Sequence, residues 1–127
     1  MKSYTDLEQS KKLAEILPLK SADMCYRIVA YNPNNTHEYA PYCFKGTLSS
    51  DIPCWSLAAL LGVIPKRIDE FNVLRMDIDD NDFAIWYDEM GGKTNFGVNS
   101  KLPDITMTSP IDACVEMIVK LKENNLL

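Results

Sequence analysis

Residues 53–65, PCWSLAALLGVIP, lie in the longest run of the chain without a charged side chain, and how that run folds decides what the rest must pack around. Pro53 suits the first position of a helix, where a missing backbone N–H costs nothing, and Gly62 suits the left-handed position just past a last turn. The run is therefore expected to be a short helix opening at Pro53. At about 100° per residue, Cys54, Leu57, Ala58 and Leu61 share one apolar stripe, Leu60 widens it, and Trp55 and Ala59 continue round the back, with Ser56 the only polar side chain. Such a helix is expected to be buried on several sides. At about ten residues it falls far short of the roughly 20 apolar residues a bilayer demands, so no membrane span is expected.

Toward the N-terminus, Thr5 and Glu8 have the spacing of a capping box for a helix carrying Leu7, Ala14 and Leu17, flanked by Leu13 and Ile16, and Pro18 stops it. Met24 to Tyr31 is rich in β-branched and aromatic residues and ends at Asn32-Pro33-Asn34-Asn35, which predicts a strand and then a turn. The following segment, NPNNTHEYAP, reads as a long loop leading to a second short strand at Tyr42-Cys43-Phe44.

Toward the C-terminus, Phe71 to Ile78 and Phe83 to Tyr87 are strand-like runs separated by Asp79-Asp80-Asn81-Asp82, a hairpin pattern. Met90-Gly91-Gly92-Lys93 reads as a second turn and Thr94 to Val98 as the third strand of a meander. Leu74, Met76 and Ile78 form one apolar face, matched by Phe83, Ile85 and Tyr87, with Trp86 placed at an edge. Ser109, Pro110 and Asp112 supply a cap, a first-turn proline and a helix-start carboxylate in order, so a helix is expected from there to about Asn124. Its buried stripe is Ile111, Cys114, Val115, Ile118 and Leu121, and Glu116 and Lys120 are spaced as an ion pair on the wet side.

This order predicts an α+β fold: an antiparallel sheet, a three-stranded meander plus one or two N-terminal strands, with three helices packed mainly on one face. The 127 residues, 46% of them hydrophobic, suffice for one domain spanning 1–127 without disulfide or metal staples. The net charge of −5, from 18 acidic and 13 basic residues, leaves no basic cluster beyond Lys66 and Arg67, so nucleic acid is not an expected partner. The N-terminal stretch mixes acids with lysines instead of placing a basic patch before an apolar run, so no secretion signal is expected. Cys25, Cys43, Cys54 and Cys114 are widely spaced, without a C-x-x-C pair, and are expected to be reduced thiols of a cytoplasmic protein.

From PCWSLAALLGVIP to PIDACVEMIVKLKENNLL, with the opening YTDLEQSKKLAEILPLKSADMCY, the chain resembles a family of small proteins, without known activity, found in prophages and conjugative elements of gut bacteria. The likeness covers nearly the whole chain and carries no catalytic motif. It implies a cytoplasmic accessory protein of a mobile element.

A second, local resemblance concerns chemistry. Cys54-Trp55-Ser56-Leu57-Ala58 is similar to the helix start of papain-like cysteine proteases, where the helix N-terminus stabilises a thiolate and a histidine completes the activation. The likeness implies Cys54 as nucleophile and His37, the only histidine, as its base. Those enzymes place the histidine after the cysteine, whereas His37 precedes it, and the nearest upstream glutamine is Gln9. The competing expectation is a buried Cys54, since it shares its stripe with Leu57 and Leu61.

Other candidates have bland counterparts. Asp77 to Asp82, with Asp88 further on, resembles the opening of a calcium loop, but Asp82 stands where that loop needs glycine, and a solvated hairpin turn explains the acids equally. His37 and Cys43 are too few to hold a metal, so none is expected. Asn34-Asn35-Thr36 matches a glycosylation sequon, of no consequence in a cytoplasmic protein. Tyr31, Tyr39 and Tyr42, with Tyr26 and Trp86, could line a partner surface, because tyrosine supplies contact area at low entropic cost, or could pack on strand faces. No glycine-rich phosphate loop or Ser-His-Asp set is present, and no cofactor is expected. The preferred expectation is a non-catalytic interaction or accessory protein with an unidentified protein partner; the alternatives are a thiol hydrolase using Cys54 and an acidic inhibitor or DNA mimic.

Overall fold

The structure of the chain, a computed structural model, describes residues 2–89 and 102–127. Along it run α1 (Leu7–Ala14), a 3-10 turn (Leu19–Ser21), β1 (Met24–Tyr31), β2 (His37–Tyr42), β3 (Ile52–Cys54), α2 (Leu57–Val63), β4 (Arg67–Ile68), β5 (Asn72–Ile78), β6 (Phe83–Glu89), β7 (Asp104–Met107) and α3 (Pro110–Glu123). The fold is α+β, and the strands divide between two antiparallel sheets, ordered β2-β1-β3 and β4-β5-β6-β7, instead of joining one.

The central stretch is the first correction. Pro53 and Cys54 do not open a helix; they lie in β3, opposite Cys25 and Met24. Because β3 is an edge strand, the missing N–H of Pro53 is tolerated there. The helix begins only at Leu57, where Ser56 provides what Pro53 cannot, a side-chain oxygen accepting the Ala59 N–H at 3.2 Å. Gly62 lies inside the last turn, and the helix ends on extended Ile64, as expected of a residue preceding proline. Nor is α2 buried all round: Leu60 is its one fully enclosed side chain, while Ala58 and Gly62 face water.

Two further local readings shift for similar reasons. α1 is capped by Asp6 with Gln9, not by Thr5 with Glu8. The Thr5 hydroxyl is turned inward, accepting from the Trp55 N–H at 3.1 Å and lying 2.7 Å from Ser10 Oγ, which leaves Asp6 to meet the Gln9 amide. Half of the long loop read after β1 is strand. Asn35 takes a left-handed conformation, at φ 63°, and the Asn32 N–H donates to the Thr36 carbonyl at 2.9 Å. That closes the chain into a tight turn, so β2 starts at His37 and not at Tyr42.

In the larger sheet β5 and β6 pair as the alternation predicts, Leu74 with Tyr87, Met76 with Ile85 and Ile78 with Phe83. The Asp79 carboxylate closes the turn by accepting the Asn81 and Asp82 amides at 2.8 and 2.7 Å. The turn read at Met90 to Lys93 and the strand read at Thr94 to Val98 lie outside the described residues; the strand beside β6 is β7, with Ile85 opposite Ile105. Trp86 is correspondingly not at an edge, since β6 is paired on both sides, to Arg75 and to Asp104.

The element around which the core is built is α3. Its expected stripe is buried, and Ala113, Met117 and Val119 are buried too, because the helix is packed against β6, β7, α2 and α1. Trp55, Leu13, Leu60, Ile64, Phe83 and Ile85 join it in one apolar cluster, each large side chain contributing about 1.5–3 kcal/mol by burial. Glu116 and Lys120 pair at 3.7 Å on the wet side. The N-terminal segment is clipped to this helix by Lys2, whose ammonium lies 2.8 Å from Asp112, and by Gln9, which donates to the same oxygen at 2.8 Å. Among the described residues no helix is long and apolar enough to cross a membrane.

Candidate functional site

Cys54 is fully buried in β3, within 3.5 Å of the Thr5 hydroxyl, and burial pushes its thiol above the ordinary cysteine pKa. It ends a strand two residues before the Ser56 cap of α2 and does not lie on the first turn of a helix. His37 is exposed at the turn end of the β1-β2 hairpin, opposite Tyr31, whereas Cys54 is opposite Met24. Those two positions are the ends of β1, about 23 Å apart at the rise of a strand. The structure does not bring the pair together, and a base must reach within about 3 Å of the proton it takes.

Among the described residues no three His, Cys, Asp or Glu side chains gather at metal-binding spacing. In the acidic turn Asp79 is engaged by backbone amides, while Asp88 stands opposite Val73 and 3.8 Å from Arg75, away from the turn.

The aromatic candidates separate into three places. Tyr31, His37 and Tyr39 form a row of edge-to-face rings, with centroids 4.9 and 6.4 Å apart, and the Lys11 ammonium lies 5.9 Å from the Tyr39 ring. Tyr42 is on the other face of the sheet, since Tyr39 opposes Ile28 and Tyr42 opposes Cys25, three residues away. There it packs against Phe44, with centroids 5.4 Å apart. Trp86 belongs to the other sheet.

Sequence reading passed over the residues that organise the face around Tyr42. The side chain of Asp51 is sealed from solvent at 2% exposure. Arg27 grips it from β1 with two N–H groups, Nε at 3.0 Å and a terminal nitrogen at 2.9 Å. The same carboxylate accepts the backbone amides of Thr47 and Leu48, both at 2.9 Å. The Arg27 guanidinium, aided by those amides, holds the carboxyl of Asp51 well below the usual carboxylate range. Gly46 allows the wrap, because a Cβ there would fall 2.8 Å from the Asp51 Cβ. Lys45 ties the loop to the 3-10 turn by donating to the Lys20 carbonyl at 3.0 Å.

Residues 43–51 are thus a fixed arch, and it displays apolar side chains outward. Phe44 is 45% exposed beneath the Arg27 guanidinium, 5.1 Å from its ring, and Leu48 is 54% exposed. Between the arch and Leu19–Ser21 lies a cleft of about 430 Å³ walled by Leu19, Met24, Leu48 and Pro53, with Lys20 and Lys45 among its lining. The one signal in the sequence was the polar run ending in Asp51, in which a carboxylate can accept amides a few residues back.

No family model, no curated protein and no solved structure matches the chain.

Proposed function

We propose that this is a non-catalytic interaction protein, a cytoplasmic accessory protein of a mobile element, whose docking surface is the arch of residues 43–51. One observation carries the reading: the grip of Arg27 on the sealed Asp51 carboxylate and the Gly46 close approach hold in place a loop whose Phe44 and Leu48 face solvent. Desolvating an ion pair is costly, and it earns nothing for the core when the side chains it positions point away from it. Its effect is to present apolar groups in one conformation, which lowers the ordering cost when a partner covers them.

The test is capture from cells carrying the gene, followed by titration of the purified captured protein. Phe44→Ser with Leu48→Ser is expected to abolish binding at a small cost in thermal midpoint, since both side chains are about half exposed and Phe44 gives up only its contacts with Tyr42 and Arg27. Undiminished binding by that double variant, with loss instead on substitution of Tyr31 and Tyr39, would move the surface to the opposite face of the sheet.

A further inference from the structure

We infer that the occupant of the cleft beside the arch is an extended acidic segment of the partner protein, inserting one large apolar side chain between Leu19, Met24, Leu48 and Pro53 and setting carboxylates against Lys20 and Lys45. This rests on the docking reading above and supplies the partner's chemistry. The charge argument is local. Although the chain carries a net −5, the one carboxylate that lines the cleft among the described residues, Asp51, is sealed under Arg27 and two amides. The charges left for a ligand are therefore the ammonium groups of Lys20 and Lys45, and Lys45 is steadied at its place by the Lys20 carbonyl. A cationic rim selects anionic partners.

The shape argues for a chain and against an enclosed small molecule. Pockets for small ligands bury most of the ligand's surface, whereas here the wall residues Leu19 and Leu48 are 63% and 54% exposed, so the cleft is open to solvent between them. An extended segment fits an open groove, filling it with alternate side chains while the neighbouring ones meet the rim.

A displayed library of random short peptides, selected on the intact protein and followed by titration of the enriched sequences, tests this. Enrichment of a large apolar residue flanked by Asp or Glu is expected, with affinity falling about tenfold on Lys20→Glu and also falling as salt is raised. Lys20 is exposed, so the fold tolerates that change. Enriched peptides that are basic or uncharged, or that ignore Lys20→Glu, overturn the inference. If the captured partner is lost with Phe44→Ser and Leu48→Ser but held by Lys20→Glu, the docking surface stands and the acidic segment falls; a partner indifferent to all three substitutions removes both.

Discussion

In the β4-β5-β6-β7 sheet, Leu74, Phe83, Ile85, Tyr87 and Ile105 all turn toward α3 and are buried against it, and burial pushes the Tyr87 hydroxyl up to about 12. In the β2-β1-β3 sheet burial ends at Tyr26, and the outer half of β1 with all of β2 is partly or wholly exposed. There the order comes from stacked rings on one face and from the Arg27–Asp51 pair on the other. The same antiparallel pairing is thus stabilised by apolar burial in one place and by polar contacts in the other. The difference teaches where to look for function: a region that spends its structure on display, not on covering itself, is the one poised to meet something else.

The comparison breaks most easily at α3. Ile118→Ala, at a fully buried site, should cost about 2–5 kcal/mol, read as a fall in the midpoint of denaturant unfolding. If the chain is one cooperative domain, probes in both sheets should lose structure together; a β1-β2 hairpin that persists after the larger sheet has melted would divide the molecule into two units.

Asp51→Asn should act more narrowly. Amide exchange at Thr47 and Leu48 should quicken, with a smaller loss of midpoint than Ile118→Ala, and Gly46→Ala should imitate it by forcing the arch off Asp51. The pH dependence follows from the sign of the shift. Because the folded Asp51 pKa is depressed, its contribution is complete above the ordinary carboxylate value of about 3.9 and is lost as pH falls through the folded value. The arch should therefore keep its protection throughout the neutral and mildly acid range and release only in strong acid; release near neutral pH would remove the pair as its cause.

Thiol chemistry gives a finer contrast. Cys25, Cys54 and Cys114 are buried and Cys43 is exposed at the arch, so iodoacetamide should modify Cys43 first in the folded protein and the other three only after unfolding. Burial raises all three buried thiols, Cys114 to about 12, which reinforces the steric protection. Rapid labelling of Cys54 in the folded state would revive the hydrolase expectation. The smallest effect belongs to Glu116→Gln, which removes a half-exposed pair with Lys120 and should change stability by no more than about 0.5 kcal/mol.

What could be read from the sequence was whatever repeats locally. The period of α3, with its Ser109 cap and Pro110, and the alternation in β5 and β6 around the acidic turn all survive in the structure, because each is set by neighbours within a few residues. The central run misled because Pro53 is compatible with both a first helical turn and an edge strand, and only the pairing of β3 with β1, nearly thirty residues upstream, chose between them. Its Cys54 became a buried strand thiol for the same reason. Thr5 lost its capping role to a contact with Trp55, fifty residues away.

The candidate site was the least legible part. Nothing in Thr47 to Asp51 reveals that Arg27 will arrive from β1 to seal the carboxylate, or that Gly46 will be needed for the chain to pass so close. Composition and periodicity determined the α+β class and the burial of α3, since hydrophobic patterning is a property of the chain itself. The division into two sheets, the separation of Cys54 from His37 and the outward presentation of Phe44 and Leu48 were decided only in three dimensions, because each depends on which distant group takes up a polar atom or an edge that local sequence leaves open.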